Sequence, residues 1–309
     1  MAVLKQIGKR LLTAIPVLIG VMVLLFFLLR ILPGNAIATM MGEHANAETI
    51  ARMTAELGLD QPWYTQFWMY LTGIFSGDFG TSYKFHRPVT ELLANALPTT
   101  IRLACAAALV AWVTGILVGI LSAVRKDHLA DRLFMGASLL GVSVPVFMIA
   151  MGLQYLFGYH WKLLPLNGAA TWQCYILPAI ALGWNSAGSI ARLTRSTLVE
   201  TLQADYIDTA RAKGRGRLGI IVHHALRNAM LPVVTMMAMQ ISSLLSGAVI
   251  TETVFGLPGI GRVAVDAISG RDIPLLQGTV LFTTLLVILG NLAADCLYAV
   301  LDPRIRKEA

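Results

Sequence analysis

The segment ADYIDTARAKGRGRLGIIVHHALRNAMLPVVT, residues 204–235, joins a charged, glycine-punctuated half to an apolar one. Asp205 suits a helix N-cap, and Asp208 suits the first turn, where a carboxylate faces unpaired N–H groups. Lys213 suits the last turn, and Gly214 is a natural stop because glycine adopts left-handed backbone freely. The spacing predicts a helix of about two turns over 206–213. A helix this short is unstable alone in water and must dock on something. Ala210 and Ala212 are small enough to permit a close approach. The plainer reading is an ordinary linker helix.

Working outward, the segment is surrounded by stretches without charge. Of 309 residues, 56% are hydrophobic and 13% charged, well short of the quarter usual in soluble domains. Arg10 and Arg30 bracket 19 uncharged residues, and Arg102 and Arg125 bracket 22. Arg132 and His160 enclose 27, Lys162 and Arg192 enclose 29, Arg227 and Glu252 enclose 24, and Asp272 and Asp295 enclose 22. A spanning helix needs roughly 20 apolar residues. The expectation is an all-α integral membrane protein of about six helices, near 11–30, 101–124, 133–158, 174–194, 229–251 and 274–299. The fourth is expected to begin near Cys174, because Pro165, Asn167, Gly168 and Thr171 read as a loop. No internal repeat of 20–50 residues is evident, so 1–309 reads as one membrane domain.

The basic residues set the orientation. Lys5, Lys9 and Arg10 precede the first span, and Arg125, Lys126 and Arg132 join the second and third. Arg192, Arg195, Arg211, Lys213, Arg215, Arg217 and Arg227 lie between the fourth and fifth. Arg304, Arg306 and Lys307 end the chain. That places 16 of the 24 Lys and Arg on one side, which the positive-inside rule makes cytoplasmic, with both termini inside. Nucleic-acid binding is the weaker reading of this charge, since no basic stripe appears elsewhere. The start resembles a signal peptide, but its apolar run of 19 exceeds the usual h-region, so a retained first helix is expected. Cys105, Cys174 and Cys296 have no ligand spacing and read as small apolar filler.

Residues 31–98 form the expected external loop. Within it Asn46 can cap a helix carrying Ile50, Met53 and Leu57 on one face and stopping at Gly58. Trp63, Tyr64, Phe67, Trp68 and Tyr70 suit the membrane interface, as a helix steadying the bundle. In the second span Ala104, Ala108, Ala111, Gly115 and Gly119 share one face, a packing surface for a close helix neighbour. In the fifth, Thr235, Met239, Ser242 and Ser246 form one stripe, and Met236, Gln240, Ser243 and Gly247 the next. Each hydroxyl alone suits helix–helix bonding, but a polar face this broad favours a translocation pathway. In the sixth, Asn291 and Asp295 share a face, and Asp295 is read as a structural partner rather than a proton relay.

No catalytic or metal motif is present. There is no P-loop, no His-Glu-x-x-His and no Gly-x-Ser-x-Gly. His44, His86, His128 and His160 are scattered, and His223 and His224 diverge by about 100° on a helix. No cofactor, no metal and no enzymatic activity is expected of this chain.

Residues 204–235 resemble the EAA loop of ABC importer permeases, and more closely that of the dipeptide/oligopeptide/nickel permease family. Its run of Tyr, Thr-Ala-Arg-Ala-Lys-Gly and His-x-Leu-Arg-Asn-Ala-x-x-Pro falls at Tyr206, 209–214 and 224–232. Similar stretches follow in order along the chain: Leu57-Gly58-Leu59-Asp60-Gln61-Pro62, Gly77-Asp78-Phe79-Gly80-Thr81-Ser82 and Gly141-x-Ser143-x-Pro145. Then come Pro258-Gly259-x-Gly261-Arg262, Arg271-Asp272-x-Pro274 and Asp302-Pro303-Arg304. The chain departs from the general pattern where Asp208-Thr209-Ala210 replaces Glu-Ala-Ala and where Leu231-Pro232 falls five residues late.

The resemblance implies a type I ABC importer permease-like fold in the bacterial inner membrane. It implies import of small peptides, with nickel or a metal chelate as the alternative. It also implies a second permease subunit, two ABC ATPase subunits and an extracytoplasmic binding protein, all in contact with membrane lipid. Residues 195–228 become a cytoplasmic coupling loop, with Asp205, Tyr206, Thr209, Ala210, Arg211, Ala212, Lys213 and Gly214 as its ATPase-coupling segment. The competing class is a self-contained ion-coupled secondary transporter, for which inverted repeats and buried carboxylates would be the marks.

Overall fold

The structure is a computed structural model that describes residues 2–31, 52, 54–55 and 60–301. Of the helix expected after Asn46 only residues 52, 54 and 55 are described, and these are helical; Ile50, Met53 and Leu57 lie outside the described residues, as do the chain end from Asp302 and the side chains of Asp295 and Cys296. Helix α1 (Ala2–Ile31) carries an apolar stretch at Leu12–Leu28, and α2 (Trp63–Phe75) follows the long connection. Next come α3 (Val89–Val124), α4 (Leu129–Ser143) and α5 (Val146–Leu153), the last running into a wide π turn at Gln154–His160. A 3₁₀ turn, Trp172–Tyr175, opens α6 (Ile176–Leu202), and α7 is the short helix Asp205–Ala212. A single turn (Arg217–Gly219) and a π segment (Ile220–Ala225) lead into α8 (Leu226–Val254). Helices α9 (Ile260–Ser269) and α10 (Ile273–Leu301) close the order.

Val89–Val124, Arg217–Ser246 and Ile273–Ala294 are each long and apolar enough to cross a membrane. The third expected span is a correction. It is not one helix over 133–158: α4 and α5 meet at 107°, and qualify only as a bent pair. Pro145 is the cause, because its ring forces Val144 into extended backbone (φ −83°, ψ 128°) and it has no N–H to continue the ladder. The external loop was also set too long. Helix α3 starts at Val89, behind Pro88, and carries Pro98 in its interior. Val89, Leu93 and Ala96 are buried against Ile260, Ala267 and Leu275, and that burial outweighs the hydrogen bond Pro98 cannot make.

Helix α6 is the hub of the bundle. It carries Asn185, Ser186, Arg192, Thr194 and Arg195, yet Ser186 and Thr194 are buried and Arg192 donates to Ser138 O at 3.1 Å. The small-residue face of α3 packs on it, as expected. A Cβ on Gly119 would lie 2.6 Å from Thr194 Cβ and 2.7 Å from Ala191 O, so only glycine fits this crossing. In return, a Cβ on Gly183 of α6 would lie 2.6 Å from Ala107 O. Outside the hub, Met22 and Leu25 of α1 pack on Leu281 of α10. The aromatic helix α2 rests on α1, with Phe67 edge-on to Phe26 at 5.1 Å and Trp63 beside Phe27 at 5.9 Å, while Trp68 stays 67% exposed.

Candidate functional site

Three regions of the bundle carry the polar chemistry: α7 at the basic end, the exposed face of α8, and a cap at the opposite end.

Helix α7 forms close to where its residues predict. Its cap differs: Ala204 occupies the N-cap with extended backbone and no side-chain bond, so Asp205 enters the helix. With Asp208 it contributes charge to the first turn rather than a capping bond. Lys213 is the C-cap, and Gly214 takes φ +72°. Gly214 N donates to Arg211 O at 3.0 Å and Arg215 N to Ala210 O at 3.3 Å, a complete Schellman closure that needs left-handed backbone at residue 214. Asp208 pairs with Arg211 at 2.6 Å on the exposed surface.

The two faces of α7 have opposite roles. Ile207 and Ala210, three apart, are buried among Ala123 of α3, Leu198 of α6, Ile220, Ala225 and Ala229. Ala210 therefore seats the helix on the chain's own bundle and does not form the outward contact its size suggested; this corrects the reading from sequence. Asp205, Thr209 and Ala212, at spacings of four and three, face outward with Asp208 and Lys213. Tyr206 turns its phenol toward α8, where Asn228 Nδ2 donates to its oxygen at 2.9 Å. Beside this junction the basic end is pinned by an ion pair: Arg195 Nε and Nη2 each reach a carboxylate oxygen of Asp131 at 2.6 Å. Ser122 Oγ also donates to that carboxylate, as does Asp127 N at 3.0 Å.

The expected pathway stripes divide. Ser242 is buried and donates to Asn291 Oδ1 at 2.7 Å, so it joins α8 to α10. Gln240 is half-buried and donates to Ser186 O of α6 at 3.3 Å. Thr235 donates to Leu231 O, Ser243 to Gln240 O, and Ser246 to Ser242 O and Ser243 O, all within the helix. Met239, Ser243 and Ser246 are exposed and continue through Ile250 and Thr253 as one stripe. Gly247 lies within α8, but its surroundings are outside the described residues.

The cap at the far end rests on two fully buried carboxylates to which sequence reading gave no structural role: Glu252 marked the end of an apolar run, and Asp272 marked another and stood in a family-like stretch. Glu252 accepts from Thr100 Oγ1 at 2.6 Å, Gly261 N at 2.8 Å and Arg262 N at 3.3 Å, so it caps the start of α9 from the end of α8. Asp272 accepts from Leu275 N at 3.2 Å and Lys84 N at 3.0 Å, and Ser82 Oγ donates to it at 2.5 Å. It thereby caps α10 and holds the loop before α3. Burial, and then the charge of Asp272, push the neighbouring Tyr83 phenol up to about 12. The sequence signal was available: Pro258-Gly259-x-Gly261 follows Glu252 closely, and Asp272 immediately precedes a helix start.

The bundle of long apolar helices with a short helix seated on its basic end is the form of a multi-pass membrane protein. Family comparison agrees over nearly the whole length. Residues 3–104 match the N-terminal membrane component of binding-protein-dependent transport systems, and residues 115–307 match the inner membrane component of such systems. The chain belongs to this family. It is 44% identical to the glutathione transport system permease protein GsiC of Salmonella paratyphi A over 303 residues, 98% of this chain and 99% of that one. The GsiC of Escherichia coli K12 is 42% identical over the same lengths. Its fold is similar to that of the inward-facing MetNI methionine ABC transporter (TM-score 0.59, 18% identity, 68% of this chain and 96% of that one). An amino acid ABC transporter solved with histidines is also similar (TM-score 0.54, 14% identity, 70% and 94%). The chain is thus the permease subunit of an ATP-driven importer, a multi-pass protein of the bacterial inner membrane. ATPase and binding-protein partners follow from that membership, and the self-contained ion-coupled reading falls away.

Proposed function

We propose that this chain forms half of a translocation pathway for small peptides, with glutathione the first candidate. A second permease of the same family supplies the other half, and two separate ATPase subunits hydrolyse the ATP. The observation that carries the substrate is the 42–44% identity to glutathione permeases over 98% of the chain. The pathway is assigned to the exposed stripe Met239, Ser243 and Ser246 of α8, while the buried Ser242 serves packing against α10. The coupling segment is 205–214, docking through Asp205, Thr209 and Ala212. Both assignments are supported by exposure: each is a polar face of a helix whose other side is committed to the bundle.

The test is uptake of labelled glutathione, a labelled dipeptide and nickel by cells with and without the chain, the binding protein being present in both. Loss of glutathione uptake alone is the expected result. Unchanged glutathione uptake with loss of dipeptide or nickel uptake would overturn the substrate assignment. Mass analysis of the purified complex will distinguish a second, different permease chain from a second copy.

A further inference from the structure

Beside the buried face of α7, at the basic end of the bundle, lies a cavity of about 360 Å³. Its apolar half is made by Ala123 and Val124 of α3, Leu202 of α6, and Ile220 and Ile221. Its polar lining comes from three arginines, Arg211, Arg215 and Arg217. We propose that this cavity binds the phosphate headgroup of an anionic phospholipid from the cytoplasmic leaflet.

Charge is the first argument. Asp208 pairs with Arg211 at 2.6 Å, and Arg211 also donates to Leu202 O at 3.4 Å. Arg217 donates to Val124 O at 3.2 Å, a neutral acceptor at the C-terminal end of α3. Arg215 is exposed, and its side chain makes no ion pair or hydrogen bond among the described residues. One carboxylate is set against three guanidinium groups, leaving a cationic pocket. Guanidinium groups hold phosphate oxygens through paired N–H donors, more specifically than an ammonium does.

Depth is the second. The uncharged run of α3 covers 22 residues and ends at Val124, about 33 Å of helix against a hydrocarbon core of about 30 Å. Val124 therefore sits where acyl chains give way to phosphates, and Leu202, the last residue of α6, lines the same cavity. An apolar half for glycerol and the first methylenes beside a cationic half for phosphate matches an amphipathic ligand. Basic pockets at helix ends on the cytoplasmic side suit such lipids. An acidic segment of a protein partner would leave the apolar half unused.

Arg215 is the residue to test, because its side chain supports nothing else described and its loss leaves the fold intact. The complete transporter, purified and depleted of lipid, is titrated with phosphatidylglycerol, phosphatidylcholine or glycerol 3-phosphate, and bound lipid is counted by native mass spectrometry. The wild type is expected to take up phosphatidylglycerol in preference to phosphatidylcholine, with no displacement by equimolar glycerol 3-phosphate. Arg215→Ala is expected to weaken phosphatidylglycerol binding about tenfold, as for loss of a charge-assisted bond, with ATPase subunit content unchanged. Equal phosphatidylglycerol binding by Arg215→Ala and wild type would overturn the proposal. So would displacement by glycerol 3-phosphate, which would mark a site for water-soluble phosphates. Loss of the ATPase subunits with lipid binding intact would mark a protein contact instead, and would equally overturn it.

Discussion

Asn228 donates its amide to the phenolic oxygen of Tyr206 at 2.9 Å, joining the short helix α7 to the first turn of α8. The helix proposed to receive the ATPase is thereby bonded to the helix whose exposed stripe is proposed to line the pathway. An exposed hydrogen bond is worth about 0.5–1.5 kcal/mol, so its role is to set geometry rather than to hold the fold. Tyr206→Phe and Asn228→Ala are each expected to keep assembly and ATP hydrolysis while lowering substrate moved per ATP several-fold. The double variant is expected to be no worse than either single one, because both remove the same bond. Additive losses measured in proteoliposomes would show that the two residues act separately.

The inward direction of Ala210 changes what its substitution does. Ala210 packs beside Ala123, Leu198 and Ile220, so Ala210→Glu buries an unpaired carboxylate inside the permease itself. That costs several kcal/mol and is expected to lower membrane yield and thermal stability before any partner is involved. A melting curve of the detergent-solubilised subunit checks this; an unchanged midpoint would mean that α7 does not seat as described.

The buried Glu252 accepts two backbone N–H groups at the start of α9, a task for which a carboxylate is suited. Glu252→Gln turns an NH₂ group toward donors or forces a rotation, and is expected to destabilise by about 1–3 kcal/mol. Gly259→Ala is expected to be worse, since its Cβ would lie 2.2 Å from Glu252 Cδ. Thermal unfolding of both variants checks the order. Glu252→Gln more damaging than Gly259→Ala would contradict the packing of this cap.

On α8, adjacent serines separate packing from the proposed pathway. Ser242 is buried against Asn291, whereas Ser243 is exposed. Ser243→Trp is expected to assemble normally and block uptake; Ser242→Trp is expected to fail in assembly, because no room exists for an indole. Normal transport by Ser243→Trp would place the pathway elsewhere.

Much of this was legible in the sequence, for identifiable reasons. Uncharged runs of 22–24 residues fall within the three described helices long and apolar enough to span, because a bilayer imposes length and apolarity directly. The small-residue face of α3 was readable because glycine and alanine at helical spacing have one main use in a membrane. The bend at Pro145 was missed, since hydropathy averages across a break that only the proline betrays. The direction of Ala210 was missed although Ile207, three residues earlier and fully buried, marked the inner face of α7. The capping roles of Glu252 and Asp272 were missed, because their partners lie in distant helices and loops that a linear reading does not bring together.

The outward face of α7 is proposed to carry the ATPase to this permease. Thr209 lies at the middle of that face, exposed, and among the described residues its side chain bonds only its own helix backbone, Asp205 O at 3.4 Å. Thr209→Arg thus leaves the bundle intact while placing a long cation at the contact. The decisive measurement is ATP-driven glutathione uptake into proteoliposomes, with ATP inside and binding protein outside, alongside ATPase co-purification. Normal folding with loss of both the ATPase subunits and uptake is the result expected. Full ATPase retention with undiminished uptake would contradict the account.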